Sequence, residues 1–428
     1  MATTPVDTAG SNTVSTLNGH FKELYADKIK DLIPDGVKCY NMIPFVESKK
    51  LGANYNQPVI LGLEHGFTYG GSAGIAFQLG GAIASTHENA SIKGHEMVLR
   101  SYLSVGAVSR SMSSQAAFVQ ESKLIVQNML KSFSRRMEVQ LMYGKSGLGI
   151  VTSEADVLTT TELTISDAEW AAGIWAGAEK MEVEIFEASD IGDNTATAAV
   201  SSSVISVSFS DKKVVISGNH AAAIGALTTP TVMYKGANGN EFDGIHKILS
   251  NESDSLFGVD ASKYSLFRSN KVDVGTSSVP AVLSFGKLEE GVAVAMEKGL
   301  VEEDVLVICN PRSWKNLLTE QDAKRLYDSS YSSSKSEAGS KSIEFYGQNG
   351  KISIESSIFC KEGYAYILPM KEFMRIGSSD ITFDQPGFEG KFLKLLENAN
   401  AYELRAYTDQ ALFCPSPGLC TLLRFIKS

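Results

Sequence analysis

Residues 58–71, PVILGLEHGFTYGG, and residues 91–109, SIKGHEMVLRSYLSVGAVS, read as two extended arms separated by the glycine-rich tip GGSAGIAFQLGGAIAST. In the second arm Met97, Leu99, Ser101, Leu103 and Val105 fall on one face of a strand, with Glu96, Arg100 and Tyr102 on the other. A two-stranded ribbon of this length is marginal in water by itself, so it must lie against something else. Directly behind it, from Ser113 to Tyr143, runs a stretch with no proline or glycine. Ile125, Met129, Phe133, Met137 and Leu141 form an i, i+4 row along it, the apolar face of a long amphipathic helix. Ser113 or Ser114 is suited to its N-cap and Gly144 to its C′ position. Lys123, Lys131, Arg135 and Arg136 against Glu121 and Glu138 give the helix a local positive excess, expected on a solvated face.

Working outward, residues 1–50 look like a polar arm followed by a short amphipathic stretch, FKELYADKIKDLI, stopped by Pro34. No basic segment followed by an apolar one resembles a signal peptide there. On the other side of the helix the composition shifts to Thr, Ser, Ala and Val, and VISVSFSDKKVVISG alternates with period two on both sides of SDKK, a hairpin signal. Residues 166–244 are accordingly expected to be a small β-rich insertion. Beyond it, SFGKLEEGVAVAMEKGL predicts a helix and DVLVICN a buried strand. NPRSWKNLLTEQDAKRLYD predicts a second helix with Asn310 as N-cap and Pro311 at its first position. SSYSSSKSEAGS reads as a mobile loop, KSIEFYG and KISIESS as a hairpin turning at Asn349-Gly350, and the remainder mostly as strands.

The whole chain, 428 residues with 43 % hydrophobic and 21 % charged, has ordinary globular composition. Its 39 basic and 49 acidic residues sum to −10, which argues against a dedicated nucleic-acid reader. Five cysteines with no CxxC pair suggest free thiols in a reducing compartment, with neither a disulfide framework nor a zinc site. The longest uncharged stretch, Gly66–Thr86, is too rich in glycine and polar residues for a membrane helix, so a soluble protein is expected.

Candidate chemistry is thin. Gly70, Ser72 and Gly74 match the GxSxG elbow of serine hydrolases, but the elbow needs a helix immediately after the nucleophile and none is predicted. Gly144, Lys145 and Ser146 echo the end of a phosphate-binding loop. Val139 stands where that loop needs a glycine, and the segment closes a helix instead of opening one. The pairs Glu64–His65, His87–Glu88 and His95–Glu96 do not extend to HExxH; a cross-strand metal pair of His65 and His95 is geometrically allowed, and solvated polar residues are the default. His220 and His246 lack partners at a useful spacing. Trp170, Trp175, Met181 and Phe186 are dense enough to read as core. No catalytic, cofactor-binding or metal-binding residue is assigned, and no enzyme activity is expected.

A protruding ribbon and a free arm have nowhere to bury their surfaces within one subunit, so neighbouring copies are the natural cover. With NPRSWKNLLTEQDAKRLYD, KSIEFYGQNGKISIE followed by FCKEGYAYILP, and NEFDGIHKIL followed by LFGVDASKYSLFRSNKVDVG, the sequence resembles the major capsid proteins of tailed bacteriophages. The resemblance implies an α+β fold of the Hong Kong ninety-seven type, also used by encapsulin shells. It implies an N-terminal arm (1–50), an extended E-loop ribbon (51–112), and a peripheral domain with a spine helix (113–165). The insertion (166–244), a connection (245–284), an axial domain (285–370) and C-terminal peripheral strands (371–428) would follow. It further implies self-assembly into hexamers and pentamers of an icosahedral head around double-stranded DNA. A scaffolding protein, a portal and a decoration protein would be partners, with no membrane. Some members cross-link Lys to Asn between subunits, roles for which Lys93 and Asn398 or Asn400 are available. The alternatives are an encapsulin-like compartment shell and, from another class, a serine hydrolase using Ser72.

Overall fold

The long helix organises everything around it. The computed structural model describes residues 36–47, 54–72, 74–105, 115–252, 254–301, 303–327, 343–347, 350–383, 394–396 and 399–427, all in the unit Asp35–Ser428. The helix runs Gln115–Tyr143; the two serines proposed as caps lie outside the described residues. Met129, Phe133, Met137 and Leu141 are buried on its apolar row, each contributing about 1.5–3 kcal/mol.

Its C-terminal end is a backbone junction. Gly144 N–H donates to Gln140 O (2.8 Å), and Gly144 O accepts from Gly244 N–H (3.0 Å). A Cβ on Gly144 would stand 2.3 Å from Phe242 O, and one on Gly244 2.5 Å from Gly144 N, so both positions need glycine. The left-handed residue is Lys145 (φ +55°), not Gly144 as the cap pattern suggests; the glycine serves close approach, not handedness.

In chain order the first strands are β1 (Phe45–Glu47), β2 (Tyr55–Gly62), β3 (Thr86–Ile92) and β4 (His95–Ser104). After the helix come β5 (Gly149–Val157), β6 (Thr160–Ile165), β7 (Glu182–Glu187), β8 (Val200–Ser208), β9 (Lys213–Ser217) and β10 (Pro230–Tyr234). A small pair follows, β11 (Ser255–Leu256) and β12 (Val259–Asp260), then β13 (Asn270–Asp273), β14 (Val305–Cys309), β15 (Ile343–Tyr346), β16 (Lys351–Ser356) and β17 (Ala365–Leu368). The last are β18 (Met374–Thr382), β19 (Lys394–Leu395), β20 (Ala401–Phe413) and β21 (Thr421–Arg424).

β4 does not form the ribbon's second arm. It pairs along its length with β20, from Ser104↔Ala401 to His95↔Gln410, in a five-stranded sheet whose path is β1-β18-β20-β19. Met97 and Leu99, on the face predicted to be apolar, pack against the core beside the helix. The ribbon itself is β2 with β3, so the tip begins and ends earlier in each arm than the sequence suggests. A second sheet, β13-β21-β17-β14-β16-β15, is covered by helix Phe285–Met296 and has its own core around Val307, Ile354, Ile367 and Leu423. Here Asn310 caps helix Pro311–Tyr327 as expected, its Oδ1 accepting from Arg312 N–H (3.0 Å).

The β-rich region closes into a six-stranded barrel, β10-β5-β6-β9-β8-β7. It begins at Gly149, so the boundary at 165/166 cuts it after β6; that strand needs β9 on its far side to satisfy its backbone. The boundary at 371 likewise misplaces β21, which pairs with β13 and β17 in the six-stranded sheet. The predicted hairpin 204–218 is present as β8–β9, with Ser208 opposite Lys213. The serine-rich loop, residues 329–340, lies outside the described residues. No described helix is long and apolar enough to cross a membrane.

Candidate functional site: the exposed ribbon and the joints behind it

The ribbon is anchored at its root. Ala90 and Ile92 are buried, and the Tyr55 ring meets Phe413 edge-on with centroids 5.9 Å apart. Ser91 N–H donates to Phe257 O (2.7 Å), and the Tyr264 hydroxyl donates to Glu88 (3.1 Å). Beyond Ile60 the large side chains turn outward: Leu63, Phe67 (77 % exposed), Tyr69 (92 %), Ile75, Leu79 (82 %) and Ile83. Among the described residues few hydrogen bonds order this stretch: Phe67 N–H to His65 O (2.8 Å), His65 N–H to Ile83 O (3.3 Å) and Gly80 N–H to Thr68 Oγ1 (2.8 Å). Exposed apolar surface of this extent, on a ribbon with two open edges, is what a protein-binding surface presents.

The sequence candidates for chemistry are not brought together. Ser72 lies exposed at a bend between Gly71 (φ +67°) and Gly74 (φ +62°), and the described residues that follow it form no helix of the kind a nucleophile elbow requires. His65 faces Ile83 in the tip, whereas His95 pairs with Gln410 in the five-stranded sheet, so the cross-strand metal pair does not form. His95 Nδ1 lies 3.0 Å from Asn240 O, and burial holds its pKa below the ordinary histidine value. His87 Nε2 sits 2.8 Å from Ser85 Oγ. Among the described residues no three His, Cys, Asp or Glu side chains are placed to hold a metal ion. Lys93 is exposed in the β3–β4 turn, while Asn400 sits at the far end of the β4–β20 ladder, about 30 Å along the strands; Asn398 lies outside the described residues.

Two of the basic residues on the long helix, Arg135 and Arg136, do not lie on a solvated face. Arg135 donates to Gly173 O (2.9 Å) and Ala176 O (2.7 Å), and its guanidinium lies 5.7 Å from the Phe359 ring centroid. Arg136 stacks 3.1 Å over Tyr234. Both arginines are used as internal rivets because the helix is wrapped on more than its apolar side, a fact that helical periodicity does not reveal.

Sequence reasoning also missed a buried polar joint. Lys361 Nζ, from the turn between β16 and β17, donates to Glu169 Oε2 (2.6 Å) and Gly147 O (3.0 Å). Tyr364 donates to Glu169 Oε1 (2.7 Å), and Lys361 N–H donates to the Tyr143 hydroxyl at the end of the long helix (2.7 Å). Burial alone would raise the Glu169 pKa, but the Lys361 ammonium overrides it and holds the carboxyl below its usual value. His246 completes the joint, its Nδ1 2.9 Å from the Tyr366 hydroxyl. Burial, reinforced by Lys361, pushes its pKa down to about 4. The lysine is 1 % exposed, so this is a buried pair binding barrel, sheet and helix. The five cysteines are all free and buried, and burial lifts the Cys309 thiol to about 12, which makes it inert.

No protein-family model matches the sequence, and no curated protein matches it. Solved structures do. A chain of the cyanophage A-1(L) capsid asymmetric unit superposes with a TM-score of 0.59 at 10 % identity, over 97 % of this chain and 100 % of that one. The fold is that of a phage capsid subunit. Chains from the capsids of cyanophage P-SCSP1u (TM-score 0.48, 10 % identity, 100 % of both chains) and of the native GTA particle (0.49, 8 %, 97 % and 99 %) are also similar.

Proposed function

We propose that this chain is the major capsid protein of a tailed bacteriophage, a structural subunit and not an enzyme, located in the virion shell. The observation that carries the reading is the ribbon: on a chain with a phage-capsid fold, an apolar surface extends away from its own cores. A second copy of the chain is the natural cover, and repetition of that contact leads to a closed shell. We assign residues 1–50 to the N-terminal arm, the ribbon to the E-loop, and the long helix with the five-stranded sheet to the peripheral domain. The six-stranded sheet is the axial domain that meets its copies in hexamers and pentamers, and the barrel is the insertion. Many modest symmetric contacts sum to a stable particle. Double-stranded DNA is contained without being gripped, in keeping with a net charge of −10. A scaffolding protein, a portal and a decoration protein are the partners this role calls for.

Electron microscopy of the purified chain, alone and co-expressed with a scaffolding protein, tests the reading. Hexamers, pentamers or closed icosahedral shells are expected. A monomer that persists at high concentration in both preparations overturns it.

A further inference from the structure

The segment 36–47 touches three separate parts of the fold within twelve residues. Its first hold is on the long helix. Glu138, fully buried, accepts from three successive backbone N–H groups: Oε1 from Lys38 (3.1 Å) and Cys39 (3.0 Å), Oε2 from Tyr40 (2.8 Å). A carboxylate engaged by three amides at once is a geometrically demanding and strong contact. The second hold is on the six-stranded sheet, where Lys38 Nζ meets Glu355 Oε2 of β16 at 2.6 Å. The third is on the five-stranded sheet. Arg375 of β18 donates from Nε to Ile43 O (3.0 Å) and from its backbone N–H to Pro44 O (2.9 Å), and stacks over the Tyr40 ring at 4.3 Å. The Tyr40 hydroxyl donates to Asp380 (3.0 Å), and β1 continues as a parallel strand on β18.

We propose that residues 36–47 are a strap that fixes how the two sheets sit against the long helix, with Glu138 as its buckle. Opening the buckle loosens both sheet contacts, because the three holds lie on one short, nearly continuous piece of chain.

Hydrogen exchange by mass spectrometry on the unassembled full-length chain tests the strap independently of assembly. In Glu138→Ala, amides 38–40 are expected to exchange about tenfold faster or more, and amides 351–356 and 374–376 several-fold faster, although the hydrogen bonds of Glu138 go to the strap and to neither sheet segment. In Glu138→Gln, which keeps one carbonyl acceptor, the sheet segments should return most of the way to wild-type rates. Lys38→Met, a change unlike Glu138→Ala in leaving the buried carboxylate in place, is expected to speed exchange at 351–356 while amides 38–40 stay protected. Faster exchange confined to 38–40 in Glu138→Ala overturns the strap and leaves only a local cap. Wild-type rates at 351–356 in Lys38→Met overturn it as well. Particle formation by the same variants bears on the capsid reading alone.

Discussion

The barrel and the ribbon are both built from β-strands, and they treat their backbones and side chains in opposite ways. The barrel pairs every strand on both sides and buries Leu163, Ile185, Val204, Val214, Ile216 and Val232 inside itself. The ribbon pairs one side of each strand and turns its aromatic and aliphatic residues outward. One element is complete within the chain, and the other becomes complete only when something else covers it. Stability of the isolated chain should therefore depend on the barrel and its joint, and hardly at all on the ribbon tip.

The comparison breaks hardest at Lys361. Lys361→Met strands Glu169 in the interior and should cost about 3–5 kcal/mol in urea unfolding, and pairing it with Glu169→Leu should recover most of that. A double variant as unstable as the single would mean that packing, not the uncompensated charge, sets the cost. Within the barrel, Ile216→Ala should lower stability by about 2–5 kcal/mol by leaving a cavity. An unchanged urea midpoint would show the barrel core to be loosely packed.

The joint should also set a pH dependence. His246 is held neutral in the folded chain, with its pKa near 4 against the ordinary 6.5. Acidification from 6.5 toward 4 protonates the unfolded chain first, so stability falls across that window by up to about 3 kcal/mol and is retained above it. Glu241 runs the other way: burial lifts its pKa to about 7, so its contribution is greatest below 4.5 and is lost as the pH rises toward 7. His246→Phe should remove the first slope and unmask the second, which pH-dependent unfolding would read directly.

The smallest effect on folding is expected at the ribbon. Phe67→Ser with Leu79→Ser should shift unfolding free energy by no more than about 0.5 kcal/mol, yet reduce particle yield in electron microscopy at least tenfold. Full assembly by this variant would remove the ribbon from the interface; a large loss of stability would show that it folds back on its own chain.

Much of the local architecture was legible in the sequence. The period-two face of β4, the row from Ile125 to Leu141, the β8–β9 hairpin and the Asn310 cap depend on neighbours within a few residues, and the structure has each of them. Partnership was not legible. Alternation states which face of β4 is inward but not that Ser104 meets Ala401, so the sequence alone places β4 in the ribbon. Likewise, nothing near Glu169 announces Lys361, 192 residues away. The roles of the arginines on the long helix are hidden for the same reason, since charge counted along a helix does not record what wraps around it.

The contact between Gly144 and Gly244 has a consequence for the chain as a modular object. The polypeptide leaves the end of the long helix, builds a closed six-stranded body, and returns to within one 3.0 Å hydrogen bond of its point of departure. A detour whose two ends touch can be added to or taken from a lineage without re-routing the rest of the path. What anchors this one in place is the pair of rivets that Arg135 and Arg136 drive into it, and the lysine that reaches Glu169.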